Sequence, residues 1–472
     1  MRRALWAVCA GAGLTLTACY VTAEDLEAGT ELGGSDDVGS TDGGSTDGGS
    51  TGGSTGGTTG GGDTTSGGTE GSGDGACSGS WDTAQPFGSH PFGYAPGTIL
   101  PNHLEQGALD QQVAQFYAGW KQRYLSGGCG TGRYYVDIQT ADRLTVSEAH
   151  GYGMLISAYM AGHDPDAKAI FDGMYDYFRD HPSQGNSQLM AWAQDGVCEN
   201  TDGATSATDG DLDIAYALLL ANKQWGSGGA IDYAGEAAAI LGAIDQAEVD
   251  DSGSYVRLGD WTHPSNATYY DATRSSDFMP AHFATFATFI GGRWDGVRNA
   301  TYDLIATVQA TYSQGSGLLP DFIQHPTSGS PSPVSPNWLE GPYDGEYYFN
   351  ACRNPWRIGV DYLLNGDPRA QAAVTQMNGW VQSATGGSPG NIRAGYWLDG
   401  DALPTGDYFE LAFAAPFGVA AMADPGSQAW LNNLWDTLIA ADGHTYYGDS
   451  ITMLSLLAMS GNWWAPEDPP CQ

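Results

Sequence analysis

Residues 207–225 read ATDGDLDIAYALLLANKQW. Apolar residues recur at helical spacing from 212 to 225, so this stretch predicts a helix with a buried face. Asp209 and Asp211 flank Gly210 where the helix begins. A single acid at such a position is most simply a helix cap, because its oxygen accepts a bond from an unpaired backbone N–H.

A second acid opens another predicted helix earlier in the chain. Glu148 lies 61 residues before Asp209, within the segment SEAHGYGM at 147–154. Glycine lacks a Cβ, so the glycines of this segment let another part of the chain come close. Two acids at the starts of two apolar helices are what a cleft between helix ends requires.

These two segments carry a resemblance to glycoside hydrolase family 8. ATDGDLDIAYALLLANKQW is similar to the family signature throughout, and SEAHGYGM resembles its SEGxGYGM motif, with Ala149 and His150 in the places of the usual small and polar pair. The resemblance covers roughly residues 80–465. It implies an all-α fold, the (α/α)6 toroidal barrel of six helical hairpins, with long loops that form a substrate cleft. It also implies inverting hydrolysis of β-1,4-linked glycans such as cellulose, mixed-linkage β-glucan, chitosan or xylan.

The helical pattern along the chain agrees with that fold. Six antiparallel pairs of helices around an axis would bury their apolar faces against each other. Twelve apolar or amphipathic segments lie near 106–125, 148–162, 166–179, 210–224, 231–247, 278–290, 296–313, 351–364, 368–384, 408–422, 427–440 and 449–460. Three connections between them are long and rich in Gly, Pro, Asp and aromatic residues, which is typical of functional loops. They are 183–209, 250–277 and 315–349.

The N-terminal region predicts export. Residues 1–19 have a basic head and a short apolar run, as in a secretory signal. Leu16–Cys19 reads LTAC and is similar to a bacterial lipobox, in which Cys19 becomes the lipidated first residue. The alternative is an ordinary signal peptide with an incidental cysteine. We therefore expect a secreted or lipid-anchored protein, with Cys19 as its membrane contact.

The next segment, residues 20–76, is rich in Gly, Ser, Thr and Asp and predicts a flexible linker that spans about 40 Å. Residues 77–472 form the predicted catalytic domain. The whole chain has 17 basic and 55 acidic residues, and the part after the linker keeps a net charge of −29. This argues against nucleic acid as a partner, because phosphates require Lys and Arg. A polysaccharide partner fits, although the charge is most simply explained by solubility, and we expect a monomer.

Five of the seven cysteines lie beyond the signal. An oxidising compartment permits disulfides, and one between Cys77 and Cys471 would clasp the ends of the domain. Cys129 and Cys198 lie in Gly-rich loops that a disulfide would link, whereas Cys352 lies in an apolar stretch and predicts a free buried thiol. Connectivity cannot be derived from a single sequence. The cysteines lack the paired CxxC spacing of a zinc site.

Two tryptophans are candidates for stacking on a sugar ring, whose C–H face is apolar. Trp261 lies in the loop 250–277, and Trp192 lies in the connection before it. Either ring has internal packing as its alternative. The following segment TRSSDFMP at 273–280 resembles the helix entry of chitosanase-like members of the family.

The sequence departs from the common family pattern at Asn350. Many members carry at this position an Asp that is the general base, and an amide cannot take a proton from water. The subgroup that contains chitosanases and some β-glucanases also has Asn here and uses a Glu from the loop just upstream. Glu340, ten residues before Asn350, matches that spacing. Glu346 and Asp344 are the alternatives in the same loop.

Together these residues predict an inverting mechanism. Such a mechanism needs a protonated carboxyl and an ionised carboxylate about 6.5–9.5 Å apart, with a water between them. Glu148 would donate to the leaving oxygen, with a pKa raised by its apolar surroundings. Glu340 would activate the water, Asp209 would bind the sugar, and Arg353 would orient the base or Asp209. Asn350 would also line the substrate site. The mechanism requires no metal and no cofactor.

Two other readings remain open at this stage. Asn350 is also compatible with a glycan-binding protein whose active site has decayed. A helical toroid for protein contacts is a third reading, but it leaves the paired acids unexplained. Within the enzymatic reading, the sequence leaves open whether the polymer is cellulose, mixed-linkage β-glucan or chitosan, since one or two side chains read the difference.

Overall fold

The computed structural model of the protein describes residues 83–466. The predicted signal, the lipobox Cys19, the linker and the proposed clasp between Cys77 and Cys471 lie outside the described residues.

Twelve helices of eleven or more residues make up nearly half of the described chain, and each coincides with a predicted segment to within a few residues. Three of them, the sixth, eighth and ninth in chain order, have a proline in the first turn. A backbone N–H at that position would have no acceptor within the helix, so proline loses no hydrogen bond there. The twelve helices are α1 Gln106–Tyr124, α2 Ser147–Tyr159, α3 Ala167–Asp180, α4 Thr208–Trp225, α5 Tyr233–Ala247, α6 Pro280–Ile290, α7 Trp294–Tyr312, α8 Asn354–Asn365, α9 Pro368–Ala384, α10 Leu411–Ala421, α11 Gln428–Ala440 and α12 Tyr446–Met459.

The even-numbered helices form a closed inner ring. α2 contacts α4, and the contacts continue through α6, α8, α10 and α12 back to α2. Every residue of α2, α10 and α12 is buried, since each inner helix has neighbours on all sides. Helices that are apolar on all sides suit such a position.

The odd-numbered helices form the outer ring, and each packs against an inner helix next to it in the chain or, for α1, against α12. They are amphipathic. In α3 the buried side chains include Ile170, Phe171, Met174, Tyr177 and Phe178, which lie on one face, while the opposite face is solvated. The two rings of six helices are the predicted (α/α)6 barrel.

Long connections cover the end of the barrel at which the inner helices begin. They contain short antiparallel strands: β1 Leu125–Gly127 pairs with β2 Tyr134–Val136, and β3 Thr145–Val146 pairs with β4 Ala193–Gln194. A three-stranded sheet joins the connections before α6 and α8, with β6 Phe322–Gln324 between β5 Ala272–Arg274 and β7 Ser332–Pro333. The predicted long loops are thus tied to one another beside the starts of the inner helices.

The structure confirms two predictions about cysteines. Cys129 and Cys198 form a disulfide across 69 residues of sequence, and Cys352 is a free thiol buried at the start of α8. Within residues 83–466, none of the helices combines the length and the apolar composition that crossing a membrane requires.

Candidate active site

Two glycines bring the starts of α2 and α4 into contact. A Cβ on Gly210 would lie 2.5 Å from Oγ of Ser147, and one on Gly151 would lie 2.7 Å from Cβ of Asp213. Any larger residue would push the helices apart at both points. The predicted close approach is confirmed, and it places Glu148 beside Asp209.

Arg353, the residue before α8, joins these two acids. Its Nη1 donates to Oε2 of Glu148 at 2.5 Å and to Oδ2 of Asp209 at 2.9 Å. Its Nη2 donates to Oγ of Ser276 and to Oδ1 of Asn350, both at 2.9 Å. The planar guanidinium therefore fixes side chains from the starts of α2, α4, α6 and α8 in one cluster.

Asp209 is the second residue of α4 rather than its cap. Its Oδ1 accepts from the backbone N–H of the next residue, Gly210, and from Nη2 of Arg274, both at 2.9 Å. Each of its oxygens accepts from a guanidinium and the side chain is 1% exposed, so ion pairs hold it within the cluster. Its predicted contact with the sugar stays a prediction. Burial alone would raise its pKa, but Arg274 and Arg353 lower the pKa of Asp209 to about 2. It is a fixed negative charge next to Glu148.

Glu148 has the surroundings expected of a proton donor. Oε1 accepts from the hydroxyl of Tyr446, which opens α12, at 2.5 Å. Burial raises the pKa of Glu148, Arg353 opposes that rise, and the charge of Asp209 adds to it. The net direction is upward, as the sequence predicted. Glu148 thus keeps its proton to higher pH than an exposed Glu does.

The loop before α8 brings Glu340 to the same cluster. Its Oε2 accepts from Nδ2 of Asn350 at 2.7 Å, and the other side of that amide binds Arg353. Burial raises the pKa of Glu340, with further upward contributions from Asp321 and Asp344. A hydrogen-bonded chain therefore runs from Glu340 through Asn350 and Arg353 to Glu148.

The two alternative loop acids have other partners. Oε2 of Glu346 accepts from the backbone N–H of Leu398 at 2.9 Å. Asp344 is buried and accepts from the backbone N–H groups of residues 339, 340 and 341 at 2.7–3.0 Å. Asp344 therefore shapes the turn that carries Glu340, and Glu340 is the acid of this loop that contacts Asn350.

The two tryptophan predictions come out differently. Trp192 is 4% exposed, its Nε1 donates to the carbonyl of Asp202, and the guanidinium of Arg143 lies 5.0 Å from its ring centre. This ring is packed rather than open to a sugar, which is the alternative that the sequence left for it. Trp261 is half-buried and contacts Tyr269 edge to face.

Aromatic residues that the sequence analysis did not single out lie next to Trp261 and Tyr269 and along the loop that carries Glu340. Trp338, two residues before Glu340, contacts Tyr269 with ring centres 4.9 Å apart. Beyond Glu340 on the same loop, Tyr343 contacts Tyr348 and Trp397. Their positions in the sequence, with Trp338 before and Tyr343 after the candidate acid Glu340, could have identified them as candidates for contact with a sugar. The contacts of Arg274 with Asp209 and of Tyr446 with Glu148 could not be predicted from the sequence, because these partners are remote in the chain.

Comparison with known proteins agrees with this site. Residues 101–461 match the sequence profile of the family described as glycosyl hydrolases family 8. The chain belongs to glycosyl hydrolase family 8. This confirms the resemblance read from the two motifs and makes the protein a glycosidase, so the reading as a protein-contact toroid is wrong.

Named relatives of this family 8 enzyme include a β-glucanase of Niallia circulans, 47% identical over 382 residues that cover 80% of this chain and 91% of that protein. An endoglucanase of Bacillus sp. (strain KSM-330) is 36% identical over 380 residues, which cover 78% of this chain and 80% of that protein. The solved apo structure of a β-1,3-1,4-glucanase from Paenibacillus sp. X4 is 46% identical, with a TM-score of 0.77, and covers 81% of this chain and 99% of that one.

Proposed function

We propose that this family 8 enzyme is an inverting endo-β-glucanase that cleaves β-1,4 linkages in mixed-linkage β-1,3-1,4-glucan. The observation that carries the proposal is the chain of contacts from Glu340 through Asn350 and Arg353 to Glu148. It links the two carboxyls through one amide and one guanidinium. Burial raises the pKa of both acids, while Arg274 and the Asn350 amide act to lower that of Glu340 and so favour its ionised form. A pair of carboxyls in a cleft is what glycoside hydrolysis uses.

In the proposed reaction, the carboxyl proton of Glu148 passes to the glycosidic oxygen as the bond to the anomeric carbon breaks. A water attacks that carbon from the opposite face and gives a proton to Glu340. Asp209 keeps its negative charge and helps Glu148 to hold its proton until that step. Asn350 acts as a donor that orients Glu340, which explains why an amide at this position is compatible with activity.

The choice of polymer rests on the named relatives. The two proteins of 46–47% identity are named a β-1,3-1,4-glucanase and a β-glucanase. A neutral glucan also needs no carboxylate beyond the catalytic pair, and in the cluster Asp209 is already ion-paired with Arg274 and Arg353. Half-buried aromatic rings on both sides of Glu340 suit the apolar faces of glucose rings.

A panel of polymers tests the substrate. The full chain is assayed by release of reducing sugar on mixed-linkage β-glucan, carboxymethyl cellulose, chitosan and xylan, with Glu148→Gln as the matched inactive control. We expect the highest kcat/KM on mixed-linkage β-glucan. A higher value on chitosan would overturn the choice of substrate, and equal rates for the wild type and Glu148→Gln on every polymer would overturn the role of Glu148.

We also propose that the enzyme is exported and held at a membrane through a lipid on Cys19, with residues 20–76 as a tether. The lipobox-like LTAC and the Gly- and Ser-rich composition of that segment support this. Cys19→Ser should move the enzyme from the membrane fraction to the soluble fraction. Unchanged fractionation would leave an ordinary signal peptide as the better account.

A further inference from the structure

Asp321 is a buried acid that the reaction above does not use. It lies immediately before β6 and is fully buried. Its backbone N–H donates to the carbonyl of Glu346 at 2.8 Å, and its own carbonyl accepts from Ser275 at 2.9 Å. Asp321 is thus fixed between the end of the loop that carries Glu340 and the turn that precedes α6.

Its carboxylate binds the turn that enters α8. Oδ1 accepts from the backbone N–H groups of Tyr348 at 3.0 Å and Ala351 at 2.7 Å. Oδ2 accepts from the backbone N–H of Asn350 at 3.2 Å. Three N–H groups that would otherwise be unpaired inside the protein converge on one side chain, so the position of this turn depends on it.

The side chain of Asn350 is held in one orientation by its neighbours. Nδ2 donates to Glu340 at 2.7 Å and to Oδ2 of Asp321 at 3.4 Å, while Oδ1 accepts from Arg353 at 2.9 Å. Carboxylates accept and a guanidinium donates, so the opposite orientation would leave all three contacts mismatched. A carboxylate at position 350 would face two others, which accounts for the amide.

We propose that Asp321 is a positioning residue for the general base: it holds the turn at Asn350 so that this amide fixes the carboxylate of Glu340. The inference rests on the proposed function, in which Glu340 is the base. Asp321 contacts the base only through Asn350.

The charges around Glu340 give this arrangement a distinctive pH signature. Burial raises the pKa of Glu340, the charges of Asp321 and Asp344 raise it further, and Arg274 and the Asn350 amide lower it. Burial also raises the pKa of Asp321 itself to about 7, so its charge acts on Glu340 at neutral and alkaline pH. Removing the charge of Asp321 should therefore lower the pKa of Glu340, whereas removing the amide of Asn350 should raise it.

The test compares Asp321→Asn, Asn350→Ala and the double variant of the full chain, on the polymer that the wild type cleaves fastest. We expect each single variant to lower kcat by about 10–100-fold, the cost of a base displaced by about 1 Å, with KM changed far less. The acid limb of kcat/KM should move to lower pH in Asp321→Asn and to higher pH in Asn350→Ala. The double variant should lose less than the product of the single losses, because the two residues act through one contact.

Asp361→Asn is the matched control. Asp361 is also a buried acid, but it lies in the last turns of α8 and pairs with Arg298, near the opposite end of the barrel. The acid and alkaline limbs of its kcat/KM profile should lie at the same pH as those of the wild type. A folded Asp321→Asn with wild-type kcat and acid limb, or additive losses in the double variant, would overturn the inference. If Asp321→Asn does not fold, an unmoved acid limb in Asn350→Ala overturns it instead. An active Glu340→Ala would show that Glu340 is not the base. This outcome distinguishes a failure of the proposed function from a failure of the inference about Asp321.

Discussion

Nδ2 of Asn350 donates to Oε2 of Glu340 at 2.7 Å, although the two residues are ten positions apart and belong to different turns. In the proposed mechanism, this contact makes the amide at position 350 a support for the base at position 340. It also predicts how the enzyme responds when either partner is changed.

Glu340→Ala should lower kcat by about 10²–10⁴, the usual contribution of a positioned base. Sodium azide should restore part of the rate, since a small anion can attack where water needs activation. Glu346→Gln is the control: Oε1 of the new side chain can still accept from Leu398, and we expect activity within about twofold of wild type, because Glu346 lies outside the hydrogen-bonded chain. Rate measurements that showed the larger loss in Glu346→Gln would reverse the assignment.

Asn350→Asp should lower kcat/KM at neutral pH by about tenfold or more, equivalent to about 1.4 kcal/mol of barrier. The new carboxylate would face Glu340 and Asp321, and like charges at this distance raise a pKa and push the groups apart. Asn433→Asp makes the same charge change on the exposed face of α11 and should have no effect on kinetics. A large gain in activity from Asn350→Asp would mean that Glu340 is not a working base.

Asp209→Asn should move the alkaline limb of kcat/KM to lower pH. The negative charge of Asp209 raises the pKa of Glu148, so its removal lets Glu148 lose its proton earlier. The wild-type limb should lie above the ordinary value of a Glu side chain, because burial also raises the pKa of Glu148. A pH profile in which Asp209→Asn left this limb in place would separate Asp209 from control of the proton donor.

The first product of hydrolysis should be the α-anomer. Attack by water from the face opposite the leaving group inverts a β-linkage, and mutarotation then equilibrates the product. Proton NMR of a fresh digest of β-glucan, recorded within minutes at high enzyme concentration, follows the order of appearance. Early β-anomer would require a covalent intermediate and a different role for Glu340.

Glu248→Gln should be more stable to unfolding than the wild type, by an amount that grows as pH rises. Glu248 and Asp211 are fully buried, burial raises the pKa of both, and the charge of Asp211 raises the pKa of Glu248 further. Because the folded state holds the proton of Glu248 more tightly than the unfolded state, the contribution of the protonated group to folding is complete below pH 4.5 and is lost as pH rises. Gln cannot ionise, and it can accept from Ser206 as Glu248 does.

We expect Glu248→Gln to gain roughly 1–3 kcal/mol over the wild type at pH 8, and less at pH 5. Urea unfolding at the two pH values measures the difference. Glu248→Leu is the matched control and should destabilise at both, since it leaves the Ser206 hydroxyl without its partner. A gain that did not grow with pH would rule out ionisation of the pair as its cause.

The sequence by itself determined the helical barrel, through the resemblance of its two motifs to the family, and the two acids within those motifs. Twelve apolar segments agreed with the twelve helices of that fold, because apolar spacing along a helix is a local property that needs no knowledge of partners. The motifs themselves located the starts of two inner helices, at Glu148 and Asp209. The glycines of the segment 147–154 also predicted a close approach, because the missing Cβ is evident from the residue type alone. The structure shows this approach at Gly151 and, on the facing helix, at Gly210.

Tertiary structure decided among residues that look alike in sequence. Glu340, Asp344 and Glu346 share one loop and are distinguished by their hydrogen-bond partners in the folded chain. These are Asn350 for Glu340, backbone N–H groups of its own turn for Asp344, and Leu398 for Glu346. The pairing of Cys129 with Cys198, one of several that the sequence allowed, was decided in the same way. Burial, hydrogen bonds and the resulting pKa directions depend on neighbours that only the folded chain brings together.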